Sequence, residues 1–275
     1  MISNRSFLGS VRRMGSATAR WLAAWWRVLY FGALVLSLAL SPATYSRNNR
    51  RAIARQIVLG TMPNLAWFTV LSALISLVLI RIVVVTALSY GLSQYALEMV
   101  VRVLVLELVP LIAALFVALR CTMPDGAELV EMRARGDFDA LQRQGIDPLC
   151  LEFLPRIMAG MFSVVMLVAV SCVTSLVLAY LTIYGFTPWA LAGYTHVVGQ
   201  VFNPGVTMIL VLKTLFFSLA VSLIPMSTAF HVDVTEPVPM PVRSRSKAAN
   251  ELAGMVRLFS VILLIEVASL IGNYY

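Results

Sequence analysis

Charged side chains are scarce in this sequence. They make up 12% of its 275 residues, about half of the ~25% that is usual in a soluble domain. Hydrophobic residues make up 60%, and the mean hydropathy is +0.88. A water-soluble fold of this length cannot hide so much apolar surface, because much of its area stays in contact with water. The composition therefore excludes a soluble enzyme and a disordered chain, and it predicts that the protein folds in a lipid bilayer.

Cysteine and histidine are also rare. The three cysteines, Cys121, Cys150 and Cys172, form no Cys-x-x-Cys pair, and the two histidines are His196 and His231. The sequence therefore predicts neither a disulfide framework nor a zinc site. It contains no G-x-x-x-x-G-K-[ST] phosphate-binding loop, so any energy from ATP must come from a partner chain.

Acidic residues are absent from the amino-terminal third of the chain. The first is Glu98, whereas nine arginines lie between Arg5 and Arg55, and the net charge of the chain is +8. In a membrane protein such a basic segment marks the cytoplasmic side, and it also suits anionic lipid head groups. Nucleic-acid binding is the less favoured interpretation, because the sequence has no aromatic and basic platform or recognition fold.

Five apolar runs are long enough to cross a bilayer as helices, which takes about 20 mainly apolar residues. Their approximate ranges are 62–88, 96–119, 157–184, 204–230 and 252–272. The sequence therefore predicts an all-α integral membrane protein with a single domain over 1–275. It divides into an amino-terminal region, 1–61, and a five-helix transmembrane bundle, 62–272.

The segment 21–40 is apolar but short for a span. A signal peptide has such a core, but the arginines that follow at once resist export. We interpret the segment as an uncleaved helix that lies in the cytoplasmic interface, a depth that suits Trp21, Trp25 and Trp26. A sixth span is the alternative.

Basic residues are distributed unevenly among the connections. Two connections, 89–95 and 186–203, contain no Lys or Arg. Most of the Lys and Arg residues between the spans lie in 41–61, 120–156 and 231–251. The positive-inside rule then predicts a cytoplasmic amino terminus and a carboxyl terminus on the opposite side of the membrane. The proline-rich stretch Glu236–Pro241 is predicted to be a stiff cytoplasmic connector.

The one long polar insertion is the loop 121–156. Residues 127–143 have helix-forming composition, Asp125 is available as a cap next to Pro124, and Gly145 is placed to end the helix. A short amphipathic helix between two spans has two interpretations. It is either an interfacial spacer or a helix that docks on a cytoplasmic ATPase.

The same loop carries several characteristic positions at fixed offsets. They are Ala127-Glu128-Leu129, Met132-Arg133, Asp139-Ala140-Leu141, Gly145-Ile146-Asp147-Pro148 and Pro155-Arg156, preceded by Leu106-Glu107-Leu108-Val109-Pro110. This pattern resembles the signature of the MlaE/YrbE-type ABC permeases over roughly 95–185. The resemblance implies a lipid-transporting permease that has five spans and an amino-terminal interfacial helix and is usually a homodimer. It also implies a separate cytoplasmic ATPase, which carries ATP and magnesium, and in Gram-negative bacteria a periplasmic MCE-domain partner. No cofactor is implied in this chain.

Some positions depart from the family pattern. Leu106 stands where the family has arginine, and Val109 stands where it has glycine. This chain is therefore interpreted as a diverged member. The divergence leaves open which lipid it moves, which ATPase it joins, and whether it pairs with itself or with a different permease chain.

We predict that the helix around 127–143 couples the permease to the ATPase. Its charged residues are predicted to face the ATPase or to brace the loop, and its apolar residues to pack into a groove of the ATPase. The predicted coupling residues are Glu128, Leu129, Met132, Arg133, Asp139, Leu141 and Gly145.

Ionisable residues within the spans each need a reason, because one near the bilayer centre costs about 2.5–3.5 kcal/mol on insertion scales. Glu107 lies nine residues past Glu98, about 14 Å down the second span. Lys213 lies a similar distance down the fourth span. Both spans run in the same direction, so the two residues are predicted at matching depth.

The other membrane charges lie nearer the outer surface. Arg81 and Glu266 are predicted near the outer ends of their spans, and Arg102 is placed to pair with Glu98 one turn away. We predict that Glu107, Lys213, Arg81 and Arg102 line a lipid pathway, and the resemblance independently places Glu107 in the cavity of the family. The alternative is that Glu107 and Lys213 form a structural ion pair only.

Two other functions compete with transport. Asp125-Gly126 and Ala134-Arg135 faintly resemble the CDP-alcohol phosphotransferases, which act on lipids. That family needs the Ala-Arg pair two residues after Asp-Gly, whereas here it follows after seven, a spacing that breaks the metal-ligand geometry on a helix. A non-transporting scaffold homologue is the other alternative. We predict a transport subunit without its own catalytic motif.

Overall fold

The computed structural model describes residues 23, 25–41, 47–92, 95–230 and 240–274, with the backbone alone for 47–49, 240–251 and 274. Every regular element within these residues is a helix. Trp21 and residues 236–239 of the proline-rich connector lie outside the described residues.

Ten α-helices follow one another along the described chain. They are α1 (Trp25–Leu40), α2 (Arg47–Ser89), α3 (Ala96–Val100), α4 (Val109–Val117), α5 (Met123–Arg135), α6 (Asp137–Arg143), α7 (Leu154–Tyr184), α8 (Leu191–Val201), α9 (Pro204–Phe230) and α10 (Met240–Tyr274). Three π-helical segments, Val101–Leu108, Ala118–Thr122 and Leu149–Phe153, continue into the helices beside them, and Pro188–Ala190 forms a 3₁₀ turn.

Five helical stretches are long and apolar enough to cross a bilayer, which confirms the predicted all-α membrane fold. They are Arg50–Ser89, Ala96–Arg135, Leu149–Tyr184, Pro204–Phe230 and Leu252–Asn273. The predicted amino-terminal helix is also present as α1. At 1.5 Å per residue it is about 24 Å long, which is short of the ~30 Å hydrocarbon core.

Helix α1 packs across one end of the bundle. Phe31 is completely buried, and its ring lies 6.0 Å from that of Phe153 and 5.4 Å from that of Phe230. We call this the α6 end, because α6 lies in the connection between the second and third spans on this side. The opposite end, where α8 joins α7 to α9, is the α8 end.

Each π-helical segment ends two residues before a proline: Pro110, Pro124 or Pro155. A proline ring clashes with the carbonyl four residues earlier and lacks an N–H to bond it. A π turn widens the helix at that point, so the chain passes each proline without ending the helix.

The observed helices of the loop differ from the predicted one at the start and in the middle. The second span continues through Pro124 into α5, so Asp125 lies inside a helix and does not cap one. Gly136, with φ of 82°, then separates α5 from α6, because glycine adopts left-handed conformations at little cost. The prediction of one helix over 127–143 is therefore wrong. Gly145, with φ of 75°, follows α6 as predicted.

Polar and small residues hold the longest seam, between α2 and α7. The Thr61 and Ser163 hydroxyls lie 2.7 Å apart, and those of Ser76 and Ser175 lie 2.8 Å apart. Hydroxyl pairs of this kind join helices in lipid, where apolar burial alone gives little selectivity.

Candidate functional site

Four polar side chains from three spans meet inside the bundle. The Lys213 ammonium on α9 bonds the Glu107 carboxylate and lies 2.9 Å from Oε2 of Glu266 on α10. Asn273 Nδ2 donates to Glu107 Oε1 at 2.9 Å. We call Glu107, Lys213, Glu266 and Asn273 the ion cluster. It joins the second span to the fourth and the fifth.

The backbone of the second span explains why Lys213 fits at this point. Pro110 has no N–H, so the carbonyl of Leu106 lacks the donor that an α-helix would supply four residues later. Lys213 Nζ donates to this carbonyl at 3.3 Å. One ammonium therefore holds both the carboxylate of Glu107 and the backbone turn that carries it.

A neighbouring carbonyl is satisfied in a similar way by α7. The N–H of Val109 bonds the oxygen of Leu104, five residues back, and not that of Val105. The Val105 carbonyl instead accepts from Cys172 Sγ at 3.8 Å. Side chains of α7 and α9 thus compensate for two irregular backbone positions, and this fixes the direction in which Glu107 points.

The ion cluster is closed around its cation. The Lys213 side chain is 1% exposed, whereas those of Glu107 and Glu266 are 11% and 13% exposed. Two carboxylates and a carbonyl oxygen surround the ammonium, although the Glu266 contact is an ion pair without an aligned hydrogen bond. A lipid phosphate cannot reach Lys213 in this conformation without displacing a carboxylate. The geometry is that of a brace, and substrate contact by Glu107 and Lys213 stays a prediction.

The structure confirms that Glu107 and Lys213 face each other and corrects the position of Glu266. Glu266 is not nearer the outer surface than Lys213 but is in contact with it. Helix α10 continues to Tyr274, so about 12 Å of helix separates Glu266 from its end. Lys213 lies about 14 Å from the start of α9, which places the two at one level.

The two arginines predicted to contact substrate do not join the ion cluster. Arg102 Nε lies 3.0 Å from Glu98 Oε1, which confirms the predicted pair, and both side chains are 40% exposed. Arg81 is exposed and makes no ion pair with any side chain that the structure describes. Their contact with substrate stays a prediction.

Asn273 was not singled out from the sequence. It lies seven residues after Glu266, so the two occupy the same face of α10. A charged residue within a span, followed two turns later by an amide, indicates a polar face of the helix. The sequence does not show which neighbouring helix that face contacts.

At the α6 end, Arg156 is the centre of a second polar group. Its Nη2 lies 3.3 Å from carboxylate oxygens of both Glu128 and Glu152, and its Nη1 donates to the carbonyl of Asp125 at 3.3 Å. The side chain is nearly buried. Arg156 therefore ties α5 to the start of the third span, a role that the sequence pattern did not reveal.

Most of the predicted coupling residues serve the chain's own packing. Leu129 is completely buried in a cluster that includes Phe153 and Met226, and Met132 packs against the same cluster. Arg133 bonds the carbonyl of Phe230 and stacks on its ring. These contacts brace α5 against α1, α7 and α9.

The remaining coupling residues are more accessible. Asp139 and Gly145 are exposed, Leu141 is half-buried, and the Glu128 side chain is 58% exposed beside Arg156. Exposed charge on the loop therefore lies on α5, at Glu128, and on α6, at Asp139. Contact of these residues with an ATPase stays a prediction.

Long apolar helices around a buried ion cluster define a multi-pass α-helical membrane protein. The family model described as Permease MlaE matches residues 53–271. The chain therefore belongs to the MlaE permease family, which confirms the resemblance seen in the loop motif. Membership implies a permease of an ABC-type lipid transporter, not an enzyme. No curated protein sequence matches the chain significantly.

Proposed function

We propose that this chain is the membrane subunit of a transporter that moves a phospholipid-like molecule between the inner membrane and a periplasmic MCE-domain partner. The energy comes from a separate cytoplasmic ATPase that binds ATP and magnesium. The observation that carries this proposal is the family match over residues 53–271. The chain acts as a dimer, with itself or with a second permease chain.

The proposed orientation places the α6 end in the cytoplasm and the α8 end in the periplasm. This orientation is supported by the charge distribution: residues 186–203 at the α8 end contain no Lys or Arg, whereas residues 120–156 at the α6 end contain several. In this orientation α1 lies in the cytoplasmic interface, and the ion cluster lies in the periplasmic half of the membrane.

The lipid pathway is proposed to pass the ion cluster on the side of its carboxylates. Glu107 and Glu266 keep small exposed edges, whereas Lys213 is enclosed, so Lys213 acts by positioning Glu107. The half-exposed Arg102, which is paired with Glu98, and the exposed Arg81 are both accessible to a phosphate head group. The acyl chains lie along the apolar faces of the surrounding spans.

Purification of the chain in mild detergent tests the assembly, with mass spectrometry of the proteins and lipids that come with it. We expect an ATPase subunit, a dimer of permease chains and phospholipid in one complex. A stable, active monomer without an ATPase contradicts the proposal. Reconstitution separates transport from a scaffold role, because a scaffold would show no lipid-stimulated ATP hydrolysis.

Charge reversal on α6 tests the coupling role. Asp139→Arg is expected to reduce copurification of the ATPase several-fold while leaving membrane insertion and thermal stability unchanged, because Asp139 is exposed and makes no ion pair among the described residues. Ser89→Arg, at the exposed end of α2, is the control at the opposite end. Unchanged copurification for Asp139→Arg would favour the spacer interpretation.

Arg133→Glu is informative in a different way. It removes the brace from α5 to Phe230, so we expect a loss of stability together with any loss of ATPase association. Only Asp139→Arg separates the two effects.

A further inference from the structure

The connection from α7 to α9, residues 185–203, has an unusual composition. No Asp, Glu, Lys or Arg occurs between Arg156 and Lys213, so this connection between two spans is uncharged. It begins directly after Tyr184, where α7 ends, and leads into α9 at Pro204. A connection that faced only water would have no reason to exclude charge over its whole length.

The first turn of this connection is fixed by specific bonds. Gly185, with φ of 66°, reverses the chain, which favours glycine. Thr187 Oγ1 donates to the carbonyl of Tyr184 at 2.7 Å, and the hydroxyl of Tyr180 donates to the carbonyl of Thr187 at 2.6 Å. The turn is therefore a rigid platform on the end of α7.

This platform presents two large aromatic side chains outward. Phe186 is 92% exposed and Trp189 is 88% exposed, the highest values for large apolar residues in the part of the chain that the structure describes. Exposed Trp and Phe that extend from rigid backbone at the end of a span are typical of the head-group region of a bilayer, where an aromatic ring lies between oil and water.

Helix α8 continues the platform and packs against the bundle. Its Tyr194 is buried, and the hydroxyl donates to the carbonyl of Leu176 at 2.9 Å. Burial, with a smaller contribution from Tyr184, raises the pKa of Tyr194 to about 12, so the hydroxyl remains a donor. The opposite face carries the uncharged residues Ala192, Thr195 and Gly199, all exposed.

We propose that the α7–α9 connection is a membrane anchor. Phe186, Trp189 and the outer face of α8 lie in the boundary between head groups and acyl chains of the leaflet at the α8 end. The partner of this surface is the lipid of the same membrane that the neighbouring spans cross, which explains both the exposed aromatic rings and the missing charges. A water-facing surface would expose these rings at a cost.

The anchor has a consequence for the ion cluster. Tyr194 and Val201 of α8 share a buried cluster with Leu97 and Val101, at the start of the second span. The proposed anchor is therefore in contact with the start of the second span, which continues into the π-helical segment that carries Glu107.

Tryptophan fluorescence tests the proposal in the full chain, reconstituted in phosphatidylcholine vesicles. The emission of Trp189 is obtained as the difference between the wild-type chain and Trp189→Phe. Lipids brominated near the head group are expected to quench most of this emission, lipids brominated deep in the chain to quench less, and aqueous iodide to quench little. Trp67→Phe is the matched control, because Trp67 is exposed within the α2 span and its emission should respond to brominated lipid and not to iodide.

Two results would overturn the anchor. Strong quenching of the Trp189 emission by iodide, with no response to brominated lipid, means that the ring faces water. Insensitivity to both quenchers means that a protein surface covers it. Trp189→Phe is conservative at an exposed position, and the Trp67 signal in the same vesicles reports whether the chain has inserted normally.

Discussion

Lys213→Met is expected to destabilise the protein by about 3–5 kcal/mol, because it leaves the buried carboxylate of Glu107 and the partly buried carboxylate of Glu266 without their cation. Lys213 is the only cation in contact with Glu107 and Glu266 among the described residues, and it also satisfies the Leu106 carbonyl. The measurement is the free energy of unfolding in mixed micelles, compared with the wild-type chain.

Arg102→Met is the matched control for this substitution. It also removes a cation from a Glu pair near the same end of the bundle, but both side chains of that pair are 40% exposed. Its expected cost is about 0–1 kcal/mol, because a solvent-accessible pair contributes little. Equal costs for the two variants would mean that burial does not govern the ion cluster.

Neutralising the whole ion cluster distinguishes a brace from a lipid contact. Glu107→Leu, Lys213→Met and Glu266→Leu together replace every charge of the ion cluster with an apolar side chain, and such replacements of buried ion pairs are often nearly neutral for stability. Replacement of Glu107 and Lys213 alone would leave Glu266 without its partner. If the cluster contacts lipid, the triple variant folds and binds the ATPase but loses lipid transfer. Normal transfer in that variant leaves only the structural role.

The spans and their number could be predicted from the sequence because the bilayer imposes a length and a composition on each helix. The pairing of Glu107 with Lys213 could also be predicted, since their depth follows from helix rise alone. The contact with Glu266 could not, because it depends on how far α10 extends and on its rotation. These are set by packing against α9, which leaves no signal in the spacing of one helix.

The packing at the α6 end could not be predicted from the sequence either. The motif around Glu128 and Arg133 indicates that the loop is important, but not that Leu129 is enclosed by α1, α7 and α9. In the sequence, Pro124 indicates the start of a helix, and Asp125 indicates a residue that caps it. The π-helical turn that carries the second span through this proline depends on neighbouring helices that hold it in place.

Among the glycines that the structure describes, Gly160 in α7 has the tightest surroundings. A Cβ added there would lie 2.8 Å from Ser222 Oγ and 2.9 Å from Thr122 Cγ2, and both neighbours are completely buried. The helical Thr122 side chain is stiff at χ1, so α7 must move away from the second span. Gly160→Ala is expected to cost about 1–3 kcal/mol, as overpacking does, despite a helix propensity that favours alanine by about 1 kcal/mol.

Gly199→Ala on α8 is the matched control, because nothing lies within 4 Å of its added Cβ. It gains the same helix propensity without a clash, so its stability should be equal to or above that of the wild-type chain. Thermal unfolding in detergent ranks the two. Equal stability of Gly160→Ala and Gly199→Ala would show that Ser222 and Thr122 do not lie this close to Gly160.

A compensating change tests whether the clash is the cause. The Ser222 hydroxyl has no hydrogen-bond partner among the described residues, and its Cβ would lie 3.5 Å from the new methyl, an ordinary contact. Ser222→Ala should therefore be benign alone and restore part of the stability lost in Gly160→Ala. Thr122→Ser, which removes Cγ2, should restore more of the remainder. A coupling of about 0.5 kcal/mol or more between the sites is expected for residues in contact, and strict additivity would show that Gly160 matters for another reason.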